Sequence, residues 1–367
     1  MCPASRLRGD VLLVGSMPFD DAETVFRETA KGLKGHLGCM PDGEVKERKN
    51  WVGMLPEYVF AFHPQLDEVV SPGVPLEQPE LPEGVHLQEL DPFWAFKVKA
   101  GEKLAFDNLL YADFAIASYA IFQRLRDEGV IERETRFQVC LPSPHSGIDA
   151  FFSDRSEWPM VHAAYQAGLD HEISRILAVV PANDLVIQFD MAWEVVDIAM
   201  GDANYFSYWP RQSAAEKLER HAGQLSELAR AVPEETLLGY HWCYGTWGGW
   251  PMTDMQSLDL CVRLSNEAVR RTRRRLDYVH MPVIKQPGDA FFAPLDRLDI
   301  GDTKVYLGLV HEDEAGTQPF QRRVQGARRH LRDFGIGGVC GYGRIDPSDL
   351  PQVLKMHTDC ATELARL

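Results

Sequence analysis

Eight short runs rich in apolar and β-branched residues recur along this 367-residue chain, and amphipathic helical stretches fill most of the gaps between them. Strands that alternate with helices pair in parallel, because each crossover helix returns the chain to the same end of the sheet. The runs fall at residues 10–16, 37–40, 137–141, 185–190, 237–243, 277–282, 304–310 and 338–340. Helical periodicity covers 20–33, 159–179, 213–231, 255–274, 318–334 and 347–365. Eight such units predict an α/β fold, a single (β/α)8 TIM barrel over residues 1–367, with a doubly wound open sheet as the alternative. One stretch breaks the rhythm. Residues 71–85 carry so many prolines that neither regular helix nor central strand fits them, and they mark a long excursion after the second strand, about residues 55–105. No second domain and no internal repeat is visible.

Composition narrows the function. The chain has 38 basic against 54 acidic residues, a net charge of −16. Such a surface repels nucleic acid and anionic lipid, so neither is expected as a partner. The basic run Arg270–Arg275 stands late in a helical stretch, where it serves the helix C-terminus and salt bridges. No apolar stretch is long enough for a membrane helix, and the first residues run into a strand without a signal peptide. The seven cysteines are odd in number and scattered, so reduced thiols in a cytoplasm are the default, with some free to bind metal. A homo-oligomer is compatible with all of this.

A barrel of this kind places its chemistry at the C-terminal ends of its strands. Those ends carry Ser16, Glu44, His145, Asp190, His241, Cys243, His280, His311 and Cys340. His241 and Cys243 are two apart on one strand, so their side chains share a face. Cys340 ends the eighth strand, which faces the fifth across the mouth. One imidazole and two thiolates suit Zn²⁺ and leave a position open for substrate. Zinc there would ionise an incoming thiol at neutral pH. The competing reading makes the two cysteines core residues and His241 a strand cap. A bare histidine such as His280 is more often a satisfied core group than a ligand.

The order of the motifs resembles a known family. Gly15-Ser16-Met17-Pro18, Asp42-Gly43-Glu44 followed by Glu47-Arg48, Leu141-Pro142-Ser143-Pro144, Gln188-Phe189-Asp190, His241-Trp242-Cys243 and Cys340-Gly341 occur as in the zinc-bearing C-terminal barrel of cobalamin-independent methionine synthase. Epoxyalkane:coenzyme M transferases and uroporphyrinogen decarboxylases share the barrel, but the decarboxylases lack the His-x-Cys…Cys set. The resemblance implies that His241, Cys243 and Cys340 are zinc ligands. It implies that Ser16 holds the carboxylate of a homocysteine-like substrate while Glu44 and Asp190 grip its ammonium. Two departures stand out. The family's fourth ligand, a glutamate, falls near Pro282, so the metal keeps three protein ligands or His280 moves in. Its Asp-Glu-Pro is altered here to Asp190-Met191-Ala192. The family's two-barrel members also use a second barrel to hold a folate, and this chain has one.

Aromatic residues crowd the strand-end loops: Trp158, Trp193, Trp209, Trp242, Trp247, Trp250, Phe151, Phe152, Tyr205, Phe206 and Tyr208. They either form a pocket for a ring-bearing or onium donor, with Trp193 and Trp247 against it, or build small loop cores. The leading expectation is a zinc-dependent transferase that alkylates a small-molecule thiol from a small donor of aromatic or folate type. His145, His280 or His311 would supply a proton to the leaving group. A lyase or decarboxylase acting on a small organic acid or aromatic substrate through Asp190, and a non-catalytic carrier barrel, are the alternatives.

Overall fold

A computed structural model describes residues 7–70, 95–206, 208–246, 249–288, 290–314 and 316–367. In chain order the strands are β1 (Val11–Leu12), β2 (Cys39–Pro41), β3 (Leu66–Val70), β4 (Ala95–Val98), β5 (Arg136–Pro142), β6 (Leu185–Met191), β7 (Leu237–Trp242), β8 (Tyr278–Pro282), β9 (Lys304–Val310) and β10 (Gly335–Gly338). Eight of them form one parallel sheet in the order β1-β10-β9-β8-β7-β6-β5-β2. A parallel bridge from Val11 to Leu37, just before β2, brings the two edges together. The result is a nearly closed barrel with helices outside it, as the alternation of runs requires, and the open-sheet alternative falls away.

Side-chain parity explains the layers. On β6, Leu185, Ile187, Phe189 and Met191 turn outward into the large core shared with the helices. Val186 on the same strand turns inward, where Leu12, Cys39, Leu237, Tyr278 and Tyr306 form the floor of the barrel. Above them Gln188 accepts a hydrogen bond from the Tyr278 hydroxyl at 2.9 Å and donates to Val14 O at 2.6 Å. Gln138 donates to the Leu13 and Val14 carbonyls at 3.1 Å each. Tyr278 fits the interior because Gly239 faces it; a Cβ there would overlap the phenol ring. The next inward layer is the strand ends.

The helices form where the periodicity places them. Ala22–Gly32 is capped by Asp21, whose carboxylate accepts the Thr24 N–H at 2.8 Å. Ala214–Leu228 starts with a capping box between Ser213 and Glu216. Trp158–Leu177, Asp259–Arg271, Gln318–Arg328 and Leu350–Arg366 match the remaining expected helices. Arg270 and Arg271 pair with Glu267, and Arg274 donates to the Val232 and Thr236 carbonyls. The basic run therefore serves helix ends and ion pairs.

Within the excursion, β3 and β4 pair as an antiparallel hairpin. Phe96 of that hairpin packs edge-on to Phe60, whose ring also meets Phe106, Phe151 and Phe152. The proline-rich residues 71–85 lie outside the described residues. A further helix, Tyr111–Asp127, leads from the excursion to β5. Among the described residues no helix is long and apolar enough to cross a membrane.

Candidate metal and substrate site

Register assembles the site. Asp190 of β6 lies beside His241 of β7, which lies beside His280 of β8. Neighbours in register point to one side of a sheet, and Cys243, two residues beyond His241, follows it. Cys340 follows β10, so it approaches from the opposite wall. The Cys243 and Cys340 sulfurs stand 3.7 Å apart. One nitrogen of His241 and both sulfurs lie within 4.8 Å of one another. His241 Nδ1 is engaged by His280 Nδ1 at 2.8 Å, whereas its buried Nε2 has no hydrogen-bond partner.

This donor set fits a zinc ion. Two sulfurs each about 2.3 Å from a tetrahedral zinc stand about 3.8 Å apart. The hydrogen bond shared with Cys243, helped by His241, holds the Cys340 thiol well below its ordinary range. Cys243, as donor in that bond and in a dry setting, is pushed well above it.

Ser16 reaches the same place from β1. The loop after β10 folds back over it: Tyr342 N–H donates to Ser16 O at 2.7 Å and Gly343 N–H to Ser16 Oγ at 3.3 Å. Gly341 is required there, since a Cβ would overlap Ser16 Oγ. Glu44, beyond β2, sits in the left-handed region at φ 50°, and Asp42 Oδ1 accepts its N–H at 3.1 Å. Arg48 pairs with Asp42 at 2.6 Å and anchors the turn. Glu44, Cys140 and Asp190 each bring an atom within 4.8 Å of the other two. Burial pushes the Glu44 carboxyl up to about 7. Burial and then the facing Glu44 push Asp190 well above the carboxylate range, against the Gln188 amide that donates to it at 2.8 Å. Two carboxyls so close in a dry setting cannot both ionise cheaply.

A cavity of about 410 Å³ joins these groups. Ser16, Glu44, Asp190, His241, Cys243 and Cys340 line it together with Trp51, Phe151, Trp193, Val196 and Met252. Lys49, Asn50, Glu57 and Arg344 are exposed and form its rim. The sequence offers no signal for Trp51, which lines the cavity from backbone at a φ of 50°. Cys140 is legible only through parity with Gln138 on β5. Trp193 is backed by Tyr205, Phe206 and Trp209, with ring centroids 4.8–5.8 Å away. Those three rings, like Trp158 and Trp242, serve local cores and do not line the cavity. Trp247 lies outside the described residues.

The histidines divide. His280 stands behind His241 and does not line the cavity; burial and the adjacent His241 hold its pKa well below the ordinary value. His311 is buried near Trp250, away from the lining, with its pKa lowered to about 4 by burial. His145 is carried off by the short helix Pro144–Ile148 into a buried network. There it bonds Asp149, which outweighs the burial that would depress its pKa, and the value is raised. His145, Asp197 and His221 are also close enough to share a cation. Lys217 and Arg220 already occupy the Asp197 carboxylate at 3.1 and 2.6 Å, so that cluster is neutralised by its own side chains.

Neither a protein-family profile nor a curated protein matches the sequence. Solved structures do resemble the fold. A B12-independent methionine synthase from Shewanella sp. W3-18-1, in complex with selenomethionine, superposes with a TM-score of 0.58 at 12% identity, covering 94% of this chain and 86% of that one. A putative vitamin-B12 independent methionine synthase from Listeria monocytogenes gives 0.53 at 15% identity, covering 93% and 86%. At such identities the likeness establishes the shared barrel.

Proposed function

We propose that this protein is a zinc-dependent transferase that moves a methyl or other alkyl group onto the thiol of a homocysteine-like amino acid. The observation that carries this reading is the pair of sulfurs 3.7 Å apart beside the unpartnered His241 Nε2. They stand in one cavity with Ser16, Glu44 and Asp190. His241, Cys243 and Cys340 would hold the metal. When bound, zinc supplies a Lewis acid that keeps an acceptor thiol ionised at neutral pH. The complex with selenomethionine described for the Shewanella protein agrees with an acceptor of this class.

The protein's own groups then do the positioning. Glu44 and Asp190 accept the acceptor's ammonium, which replaces the proton the pair otherwise shares. The Ser16 hydroxyl donates to its carboxylate. Fixed at both ends, the sulfur shares the cavity with Trp51, Phe151 and Trp193, which suits an alkyl donor bearing a ring. The new S–C bond forms as the bond from carbon to the leaving group breaks, and the electron pair departs with that group. His145, His280 and His311 do not line the cavity, so the proton for the leaving group is drawn from solvent at the rim.

The experiment is single-turnover transfer. Zinc-loaded protein is mixed with homocysteine and a panel of isotopically methylated donors, and labelled methionine is sought by mass spectrometry. Transfer that vanishes in Cys340→Ser supports the proposal. Loss of carboxyl from an organic acid with no thioether formed would replace it with the lyase reading.

A further inference from the structure

His280 touches His241 but does not line the cavity. The register of β7 and β8 puts it directly beside His241. Its Nδ1 is 2.8 Å from His241 Nδ1, the two rings are tilted by 49°, and it is fully buried. Space for the ring comes from Gly337 on β10: a Cβ at that position would lie 3.2 Å from His280 Nε2. The strand that carries His280 ends at Pro282, so β8 brings no carboxylate to the cavity.

We infer that His280 is the positioning partner of His241, accepting its Nδ1–H so that Nε2 is turned, unprotonated, towards Cys243 and Cys340. This rests on the zinc reading of the site. An imidazole that gives Nε2 to a metal must carry its proton on Nδ1, and that buried N–H needs an acceptor; His280 then carries its own proton on Nε2, turned to the backbone of Gly338. Metal-bound histidines ordinarily find such an acceptor in a carboxylate or a backbone carbonyl, which fixes ring orientation and tautomer. Here the group in that place is an imidazole nitrogen, His280 Nδ1. A carboxylate there would add a negative charge to a set that, with two thiolates and zinc, is already balanced. His280 therefore orients His241 without weakening the pull of the metal on an acceptor thiol.

The test uses the full chain and zinc alone, with affinity read by competition against a chromophoric chelator. His280→Asn keeps an acceptor where Nδ1 stands; His280→Gln and His280→Ala do not. The expected result is native-like affinity for Asn and a roughly 10–100-fold loss for Gln and Ala. Cobalt-substituted protein should keep the same d–d absorption bands in all three variants, because no ligand has been removed. A purely packing role would weaken Asn and Gln alike, and native affinity in the Gln variant would mean that the bond orients nothing; either overturns the inference. Changed cobalt bands that Asn fails to restore would make His280 a ligand and overturn it too. If the native chain binds no zinc, the zinc reading itself fails and this inference with it.

Discussion

Replacing Glu44 by glutamine isolates the cation-binding half of the site. Glu44 and Asp190 are only 8% and 6% exposed, so a hydrogen bond from an ammonium to either is unscreened by solvent. Such a bond to a charged partner contributes about 1.5–3 kcal/mol. At 1.4 kcal/mol per factor of ten, Glu44→Gln should weaken binding of homocysteine to the zinc-loaded protein about 10- to 150-fold. The counterpart thiol acid without the amino group should bind both proteins equally. Isothermal titration calorimetry gives both constants without turnover. The pH dependence has a defined sign. With the Glu44 carboxyl at about 7, the pair is protonated in the free site, and ammonium binding expels that proton. Affinity of the native protein should therefore rise from pH 6 to pH 8, with proton release visible as a dependence on buffer ionisation heat. In Glu44→Gln that rise should be blunted. Equal losses for the two thiols would refute the assignment of Glu44 to the ammonium.

Other outcomes follow from the same structure. Because the Glu44 carboxyl is raised from 4.5 to about 7 on folding, its protonated form favours the folded state. That contribution is complete below about pH 4.5 and is lost as pH rises through 7, a swing of about 3 kcal/mol at 1.36 kcal/mol per unit. Urea unfolding should show Glu44→Gln equal to native near pH 4.5 and more stable than native at pH 8; a constant difference would contradict the raised value. Gly239→Ala forces a methyl into the Tyr278 ring inside the barrel and should cost on the order of 1–3 kcal/mol, read as a lower urea midpoint with unchanged slope. An unchanged midpoint would mean that the interior has slack the packing does not show.

Much of this was legible in the sequence because two periodicities carry it. The apolar runs of β5 to β9 are long enough to mark each strand, and spacing by two puts His241 and Cys243 on one face. The strands at the closure are harder to read. β10 is Gly-Ile-Gly-Gly and lies at 335–338, not 338–340, and β1 is only Val11–Leu12, because glycines and loops that cross the mouth leave few residues to pair. The helix Tyr111–Asp127 offers no start signal: its N-cap is Leu110, with no side-chain cap. The hairpin of β3 and β4 is likewise hidden, since its partners are separated by the proline-rich stretch. At the site, sequence finds the strand end but not the turn that follows it. Asp190 lies on its strand, whereas His145 stands three residues beyond the end of β5, and the helix beginning at Pro144 swings it into the Asp149 and Asp197 network. Trp51 reaches the cavity through backbone at positive φ, which no pattern of residue types announces.

The metal content of the purified chain is the measurement to make, by elemental mass spectrometry on native protein and on Cys243→Ser and Cys340→Ser. One zinc per chain is predicted for the native protein, with little in either variant while circular dichroism stays native, as expected of a three-ligand set whose loss leaves the barrel intact. A native protein that holds no zinc even after reconstitution in reducing buffer would contradict the transferase mechanism, and zinc retained in both variants would move the site elsewhere.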